Sequence, residues 1–389
     1  MMNFDFTEQQ QHIAQQAASL AQSLELNDLG KRDLAGEFSK PLFRQLITQG
    51  VGKWLMPKNM GGDDLNASEL CAGIESLAEH CEDTGLIFAL SAHLCACIHP
   101  IRAFANEQQQ LHWLNKIQQE AWLGAHAITE KGAGSDIYAM STEATKAQTK
   151  YTVNGQKHYI TNAPFCDFMI VHLRTANKGN YFDFSTFIMQ RSELGISVTD
   201  TPHSKSGLRT TAMGDIHFDQ CELPEDALIG RLGAGAPIFQ ISMEWERVCL
   251  FALYLGQMKR QLHKTAAFIQ SRNQFGEPLS EFQAVQHQLS DMYLNYESAR
   301  LLLYKAAWSL DKGDMSGVSS ALAKIAVSHA AISNAQMAVQ LHGAQGVLSG
   351  DIERMLRDAM PSAIFSGTSN VLKNNLSTSI LKRFQANWL

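Results

Sequence analysis

Two glutamates stand at the head of an apolar run. In MEWERVCLFALYLG, Glu244, Glu246 and Arg247 precede residues 248–255. At helical spacing Glu246 shares a face with Cys249, Leu250 and Leu253. A carboxylate held against apolar surface has its charged form disfavoured, and that suits a general base. The same two glutamates also read as solvated acids in a first helical turn, where the helix dipole favours them. Composition by itself favours the solvated reading.

A second group with chemical potential is AHAITEKGAGSD, residues 125–136. An apolar, strand-like lead-in passes through Thr129 and Glu130 into Gly132, Ala133, Gly134, Ser135 and Asp136. Small residues let a backbone approach a ligand closely, and free N–H groups there suit a phosphate or diphosphate. A plain Gly-Ser turn closing a hairpin fits the same residues. HLCACIH spaces His93, Cys95, Cys97 and His99 two apart, a tempting metal set. Its surroundings read as a helix, where that spacing scatters side chains around the axis, so we expect core residues and no metal. Arg272 and Phe275, in SRNQFGEP, lie in a turn between long helices. An arginine there reaches an anion or caps a helix. Residues 343–346 (GAQG) and 366–370 (SGTSN) are further polar breaks that read as caps or as ligand contacts. No G-x-S-x-G nucleophile motif appears, which leaves a serine hydrolase unsupported. The Gly pairs 132/134 and 233/235 lack the G-x-G-x-x-G pattern and the βαβ context of a dinucleotide fold.

The elements that position these residues fall into three textures. Residues 5–24, 41–49, 68–80, 84–98 and 106–119 carry helical patterns, and 84–98 is apolar nearly all round, as a buried helix would be. From about residue 121 the pattern alternates in short segments: 151–153, 158–161, 168–173, 185–189, 196–199 and 215–218. Asn154-Gly155 between two of them predicts a hairpin turn. From residue 238 four long helical runs end near residues 271, 312, 342 and 385 and read as an antiparallel bundle. The expected organisation is an N-terminal α domain (1–122), a middle β barrel or sandwich (123–235) and a C-terminal four-helix bundle (236–389).

Composition bounds the function classes. The 389 residues are 45% hydrophobic and 18% charged, ordinary for a globular chain with a large core. A net charge of -6 with no basic stripe argues against nucleic acid as a partner. The acidic, polar start does not look like a signal peptide, and no apolar run reads as a membrane span, so no membrane partner is expected. Seven cysteines, single apart from Cys95 and Cys97, fit reduced thiols in a cytoplasm.

The order of motifs along nearly the whole chain resembles the acyl-CoA dehydrogenase flavoprotein superfamily. AITEKGAGSD is similar to its flavin-binding strand and loop, and YTVNGQKHYITNA to its second flavin-binding hairpin. SRNQFG, QLHGAQGV and FSGTSN occupy the places of its later cofactor motifs. The resemblance implies an α+β fold and FAD as cofactor. It implies cofactor contacts at His126, Ile128, Thr129, Gly134, Ser135, Tyr159 (where the family usually has Trp) and Thr161. Arg272, Phe275, Gln340 and Gly343 would reach a neighbouring subunit's FAD, which implies a homodimer or homotetramer. Thr368 and Asn370 would touch its phosphate region, with Asn370 standing where Gln is usual. The family's usual catalytic glutamate is replaced here by Ser366. A smaller branch, resembling isovaleryl-CoA dehydrogenase, carries its base directly before an arginine in the bundle helix. That position is Glu246, before Arg247, and the resemblance makes it the expected catalytic residue, with Ser135 and Arg247 on the substrate side. ALSAHLCACIHP and MPSAIFSGT further resemble natural-product dehydrogenases that act on acyl or prolyl groups tethered to a carrier protein.

The expected activity is therefore removal of an α-proton and a β-hydride from a thioester held by a carrier protein or CoA; an electron-transfer flavoprotein is one candidate acceptor, and the sequence leaves the choice between it and oxygen open. Two alternatives share the fold: a flavin oxidase or monooxygenase using oxygen, and a non-catalytic thioester-binding homologue, which Ser366 motivates.

Overall fold

The computed structural model describes residues 5–177 and 181–386. Residues 1–4, part of the start read above as unlike a signal, lie outside them. The first third is helical: α1 (Glu8–Gln22), α2 (Leu29–Ala35), α3 (Lys40–Thr48), α4 (Ala67–His80), α5 (Thr84–His93), α6 (His99–Phe104) and α7 (Glu107–Glu120). Thr7, Asn66 and Asn106 close capping boxes with Gln10, Glu69 and Gln109, each cap contributing about 1 kcal/mol.

A π-helical turn at Leu94–Ile98 joins α5 to α6. The resulting helix, Thr84–Phe104, is long and apolar enough to cross a membrane by length and composition. This corrects the expectation that no run reaches that length. The helix continues past residue 98 through the π turn, and Pro100 comes just after that turn. Of its most apolar window, 94% is buried inside the protein, so it is a core helix here.

The middle of the chain is β1 (Gly124–Ala127), β2 (Glu143–Ala147), β3 (Lys150–Thr161), β4 (Phe168–Arg174), β5 (Phe184–Gln190), β6 (Ile196–Val198), β7 (Met213–Pro224) and β8 (Leu228–Ile229). They form one sheet in the order β6-β7-β3-β2-β4-β5-β8, with β1 added parallel to β4. Only Glu143↔Arg174 joins β2 to β4, so the sheet folds there into two faces. Tyr151 of β3 and Phe187 of β5 meet across the fold at 5.0 Å between rings, in a core of their own.

Asn154-Gly155 is not the hairpin turn expected. β3 runs straight through it, and the hairpin lies earlier, between β2 and β3. Gly155 adopts φ +132° in a bulge, with the backbone of Thr142 2.7 Å from where its Cβ would stand. Asn154 accepts a hydrogen bond from the Gln220 N–H (2.9 Å) across the sheet. A residue pair that favours positive φ serves a bulge as well as a turn.

The C-terminal part is α8 (Gly235–Trp245), a second π turn at Glu246–Leu250, α9 (Ala252–Ser271), the two-residue strands β9 (Asn273–Gln274) and β10 (Glu277–Pro278), α10 (Gln283–Asp311), α11 (Val318–His342), α12 (Asp351–Ala359) and α13 (Ser369–Ala386). The short α12 was not expected. α4 lies directly on α9: a Cβ on Gly256 would stand 2.1 Å from the Glu75 carbonyl. The two helical parts therefore share one core, although more than a hundred residues separate them. All seven cysteines are free and buried.

Candidate active site

Glu246 opens the second π turn and is 8% exposed. The two π turns pack against each other, which brings Cys97 close to Glu246. Burial pushes the Cys97 thiol well above its usual range, and the Glu246 charge adds to this. An inserted residue re-aims the side chains around it, and π turns recur at functional sites. Glu246 Oε2 accepts a 2.8 Å hydrogen bond from the Ser366 hydroxyl. Oε1 is buried with no hydrogen-bond partner and lies 3.5 Å from His126 Nδ1. The carboxylate is thus fixed by one oxygen and open at the other.

Ser366 reaches Glu246 from a strained loop. It adopts φ +53°, and Gly367 follows at φ +87°. Arg247 holds this loop by donating from Nε to the Ser366 carbonyl (3.0 Å), and its Nη1 lies 3.4 Å from Glu244 Oε1. Glu244 is 2% exposed, and burial raises its pKa against a Ser320 hydrogen bond and the Arg247 charge. Neither glutamate is the solvated first-turn acid that composition favoured. A cavity of about 290 Å³ reaches Glu244 and Arg247 between Tyr138, Phe239 and Met243 on one side and Gly317, Leu372 and Leu376 on the other. A larger cavity of about 650 Å³ lies elsewhere, among Phe6, Glu75, Lys259 and Arg300. It contains none of these groups; the smaller one is lined by Glu244 and Arg247, the residues that flank Trp245 and Glu246 in the chain.

The loop after β1 is built on a buried ion pair. Lys157 Nζ donates to Glu130 Oε1 (2.8 Å) and to the Ile128 carbonyl (3.0 Å). Glu130 also accepts from the backbone and hydroxyl of Ser141 and from the Thr142 N–H. Burial would raise the Glu130 carboxyl, but the Lys157 charge and these hydrogen bonds more than offset it and hold it at about 2. The loop they anchor leaves Gly132 and Gly134 with open space where a Cβ would stand. Thr129 keeps its carbonyl on the His158 N–H (2.8 Å). Tyr159 sits in a second bulge of β3 at φ +59°, its N–H on Asp215 Oδ1 (3.0 Å) and its side chain 55% exposed. His158 and His203 flank the same Asp215. Thr161 is half-buried and precedes Asn162, whose amide donates to the carbonyls of Ala89 and Gly124.

The structure therefore gathers His126, Ile128, Thr129, Gly134, Ser135, Tyr159 and Thr161 on the middle sheet. Arg272, Phe275, Gln340 and Gly343 lie exposed at one end of the bundle. Among the described residues no hydrogen bond, ion pair or ring contact links the two groups. Thr368 Oγ1 caps α13 through the Val371 N–H (3.3 Å), and Asn370 is exposed beside it. His93 Nδ1 accepts from the Gly124 N–H (2.9 Å), and His99 stacks on Trp245 at 4.0 Å. Burial lowers both imidazoles to about 3, so these two stay neutral core histidines. Lys157, Asn162, His172 and Asp215 were missed in the sequence. Their partners lie 12 to 73 residues away, and no local spacing marks them.

A fixed, half-open carboxylate beside a partly buried histidine can abstract a proton. Family models described as acyl-CoA dehydrogenase N-terminal, middle and C-terminal domains match residues 7–121, 125–221 and 233–381. The chain belongs to the acyl-CoA dehydrogenase family. An L-prolyl-[peptidyl-carrier protein] dehydrogenase of Pseudomonas fluorescens is 39% identical over 318 residues, covering 81% of this chain and 83% of that one. Another of the same name, from a Serratia species, is 32% identical over 97% of this chain and 98% of its own. Among solved structures, PigA with FAD and proline superposes with TM-score 0.94 at 32% identity, covering 98% of this chain and all of PigA. The prolyl acyl carrier protein oxidase AnaB superposes with TM-score 0.93 at 32% identity, covering 97% of this chain and all of AnaB. In this chain Ser366 donates to a carboxylate 120 residues away, that of Glu246.

Proposed function

We propose that this chain is an FAD-dependent dehydrogenase of a thioester-linked acyl or prolyl group, presented by a carrier protein or CoA in natural-product biosynthesis. The observation that carries it is Glu246: a buried carboxylate with one oxygen held by Ser366 and the other unpartnered. Two relatives named for prolyl-carrier dehydrogenation favour the prolyl group and the carrier.

The open space over Gly132 and Gly134 and the exposed Tyr159 ring suit a flat, phosphate-bearing cofactor. His126, Ile128, Thr129, Gly134, Ser135, Tyr159 and Thr161 of one subunit would hold it. Arg272, Phe275, Gln340 and Gly343 of a neighbour would complete the site, with Thr368 and Asn370 toward its phosphates. FAD, when bound, supplies the two-electron acceptor. Glu246 Oε1 takes the α-proton, while the Ser366 hydroxyl keeps Oε2 oriented. Arg247 fixes the Ser366 loop, and Ser135 and Arg247 face the thioester arm, which enters by the cavity beside Glu244. The assembly is a homodimer or homotetramer, and seven buried thiols support a reducing cytoplasm.

Anaerobic mixing with a panel of prolyl-carrier, acyl-carrier and acyl-CoA thioesters tests this reading. Bleaching of the flavin by a prolyl-carrier thioester supports it, and a flavin that no thioester bleaches defeats it. The description of AnaB as an oxidase favours oxygen as a second choice of acceptor over an electron-transfer flavoprotein. Stoichiometric peroxide in air separates the two.

A further inference from the structure

His126 touches more than the carboxylate of Glu246. Its Nε2 lies 2.9 Å from Nε2 of His172, which is wholly buried on β4. His172 Nδ1 lies 3.1 Å from Oγ1 of Thr186, also wholly buried, on β5. A line of groups thus runs Glu246, His126, His172, Thr186, from the π turn through β1 and β4 to β5. The Phe239 ring closes it from α8 at 6.2 Å from His126. Lys157 is the charged group acting on His172 from β3, and Cys97 sits beside Glu246.

The proton positions along this line follow from its chemistry. Burial, then the nearness of His126 and Lys157, hold His172 well below the usual imidazole range, so it is neutral. A neutral imidazole has one donor and one acceptor nitrogen. With Nδ1–H donating to Thr186, His172 Nε2 accepts from His126 Nε2–H, and His126 turns a bare Nδ1 toward Glu246. The opposite arrangement puts an N–H on Nδ1, and a donor beside a buried carboxylate closes to about 2.8 Å. The 3.5 Å separation and the unpartnered Oε1 fit the bare nitrogen.

We propose that His126 receives the proton Glu246 collects, acting through Glu246, with His172 and Thr186 fixing the tautomer that leaves His126 Nδ1 open. The step moves one proton and no electrons. Glu246, protonated at Oε1 by the substrate's α-hydrogen, passes that proton to His126 Nδ1. Glu246 returns to carboxylate, and His126 becomes an imidazolium that still donates from Nε2 to His172. The value of this step rests on the function proposed above. A saturated five-membered amino-acyl ring becomes aromatic only by losing four electrons in two desaturations, two to the flavin each time, so the final acceptor named above (oxygen or an electron-transfer flavoprotein) must empty the flavin between them. Each desaturation delivers a proton to the base, and parking the first on His126 restores Glu246 before the tether leaves.

The test uses the full-length, FAD-loaded protein and a prolyl thioester on its carrier. The mass of the tethered group is followed with time for the unmodified chain and for His126→Asn. The proposal expects the ratio of two-electron to four-electron product to rise about a hundredfold in the variant, the low end of what a lost proton-transfer group costs. An unchanged ratio overturns it. A second measurement needs no variant and no turnover: ¹⁵N spectra of the imidazoles in the unmodified protein. The expected tautomers are Nε2–H for His126 and Nδ1–H for His172, and the reverse pair overturns the proposal even if His126→Asn fails to load FAD. An unmodified chain that leaves every prolyl thioester intact defeats the function reading instead, and the ¹⁵N result still decides the inference.

Discussion

Glu246 has one carboxylate oxygen bonded to Ser366 and the other without a hydrogen-bond partner, the arrangement the proposed base needs. A hydrogen bond to a charged group contributes about 1.5–3 kcal/mol. Ser366→Ala should therefore slow substrate-driven flavin bleaching by about tenfold or more, with flavin content unchanged. Stopped-flow absorbance checks it, and an unaltered rate would remove Ser366 from the account. At this scale the sequence was partly legible. Glu246 was visible as an acid before an apolar run, but only the family resemblance raised it above its neighbour Glu244. The Ser366 to Glu246 bond spans 120 residues, and no local pattern encodes it. His172 stayed hidden for the same reason, inside a strand that reads as plain apolar core.

The elements around the site depend on a few non-repetitive positions. Glu130 and Lys157 tie the loop after β1 to β3. Burial lowers Lys157 to about 8 even with Glu130 beside it, so Glu130→Gln removes the charge that keeps the lysine protonated and should destabilise by about 3 kcal/mol, which chemical denaturation at neutral pH reads directly. The pH dependence has a definite sign. The folded Glu130 pKa, about 2, lies below its ordinary 4.5, so its stabilisation is fully present above pH 4.5. It is lost as pH falls from there toward 2, because the unfolded chain binds the proton first. Acid titration of the melting temperature should show that loss, and Glu130→Gln should flatten it. In β3, Gly155→Val meets both a positive φ and the backbone of Thr142, and should destabilise by about 1–3 kcal/mol. Helices and strands were readable from their periods. The Asn154-Gly155 bulge was not, because a bulge and a turn ask for the same residues. Neither were the π turns, since one inserted residue in an apolar helix leaves the composition unchanged.

The whole molecule presents cofactor-motif residues that its own fold does not use. Phe275 is 95% exposed, and Arg272, Gln340 and Gly343 lie open near it at the end of the bundle. Along α10, Leu294, Leu301 and Trp308 are exposed seven residues apart, one helical face without a cover. The second copy of the chain proposed above would cover both. Phe275→Ala should lower the ratio of flavin to protein absorbance after gel filtration, yet leave the apoprotein's melting temperature within about 2 °C, because so exposed a ring contributes little to its own subunit. Full flavin retention would argue that each subunit holds its cofactor alone. The three-part order of helices, sheet and bundle was legible from texture. The shared core of α4 and α9 was not, because contacts between distant segments leave no trace in either one.

The central claim is that Glu246 is the base. The direct measurement is anaerobic flavin bleaching of Glu246→Gln by the thioester that bleaches the unmodified protein. The account predicts a variant that is equally yellow and correctly assembled, with bleaching slowed by at least about a thousandfold. Bleaching at the unmodified rate would contradict it.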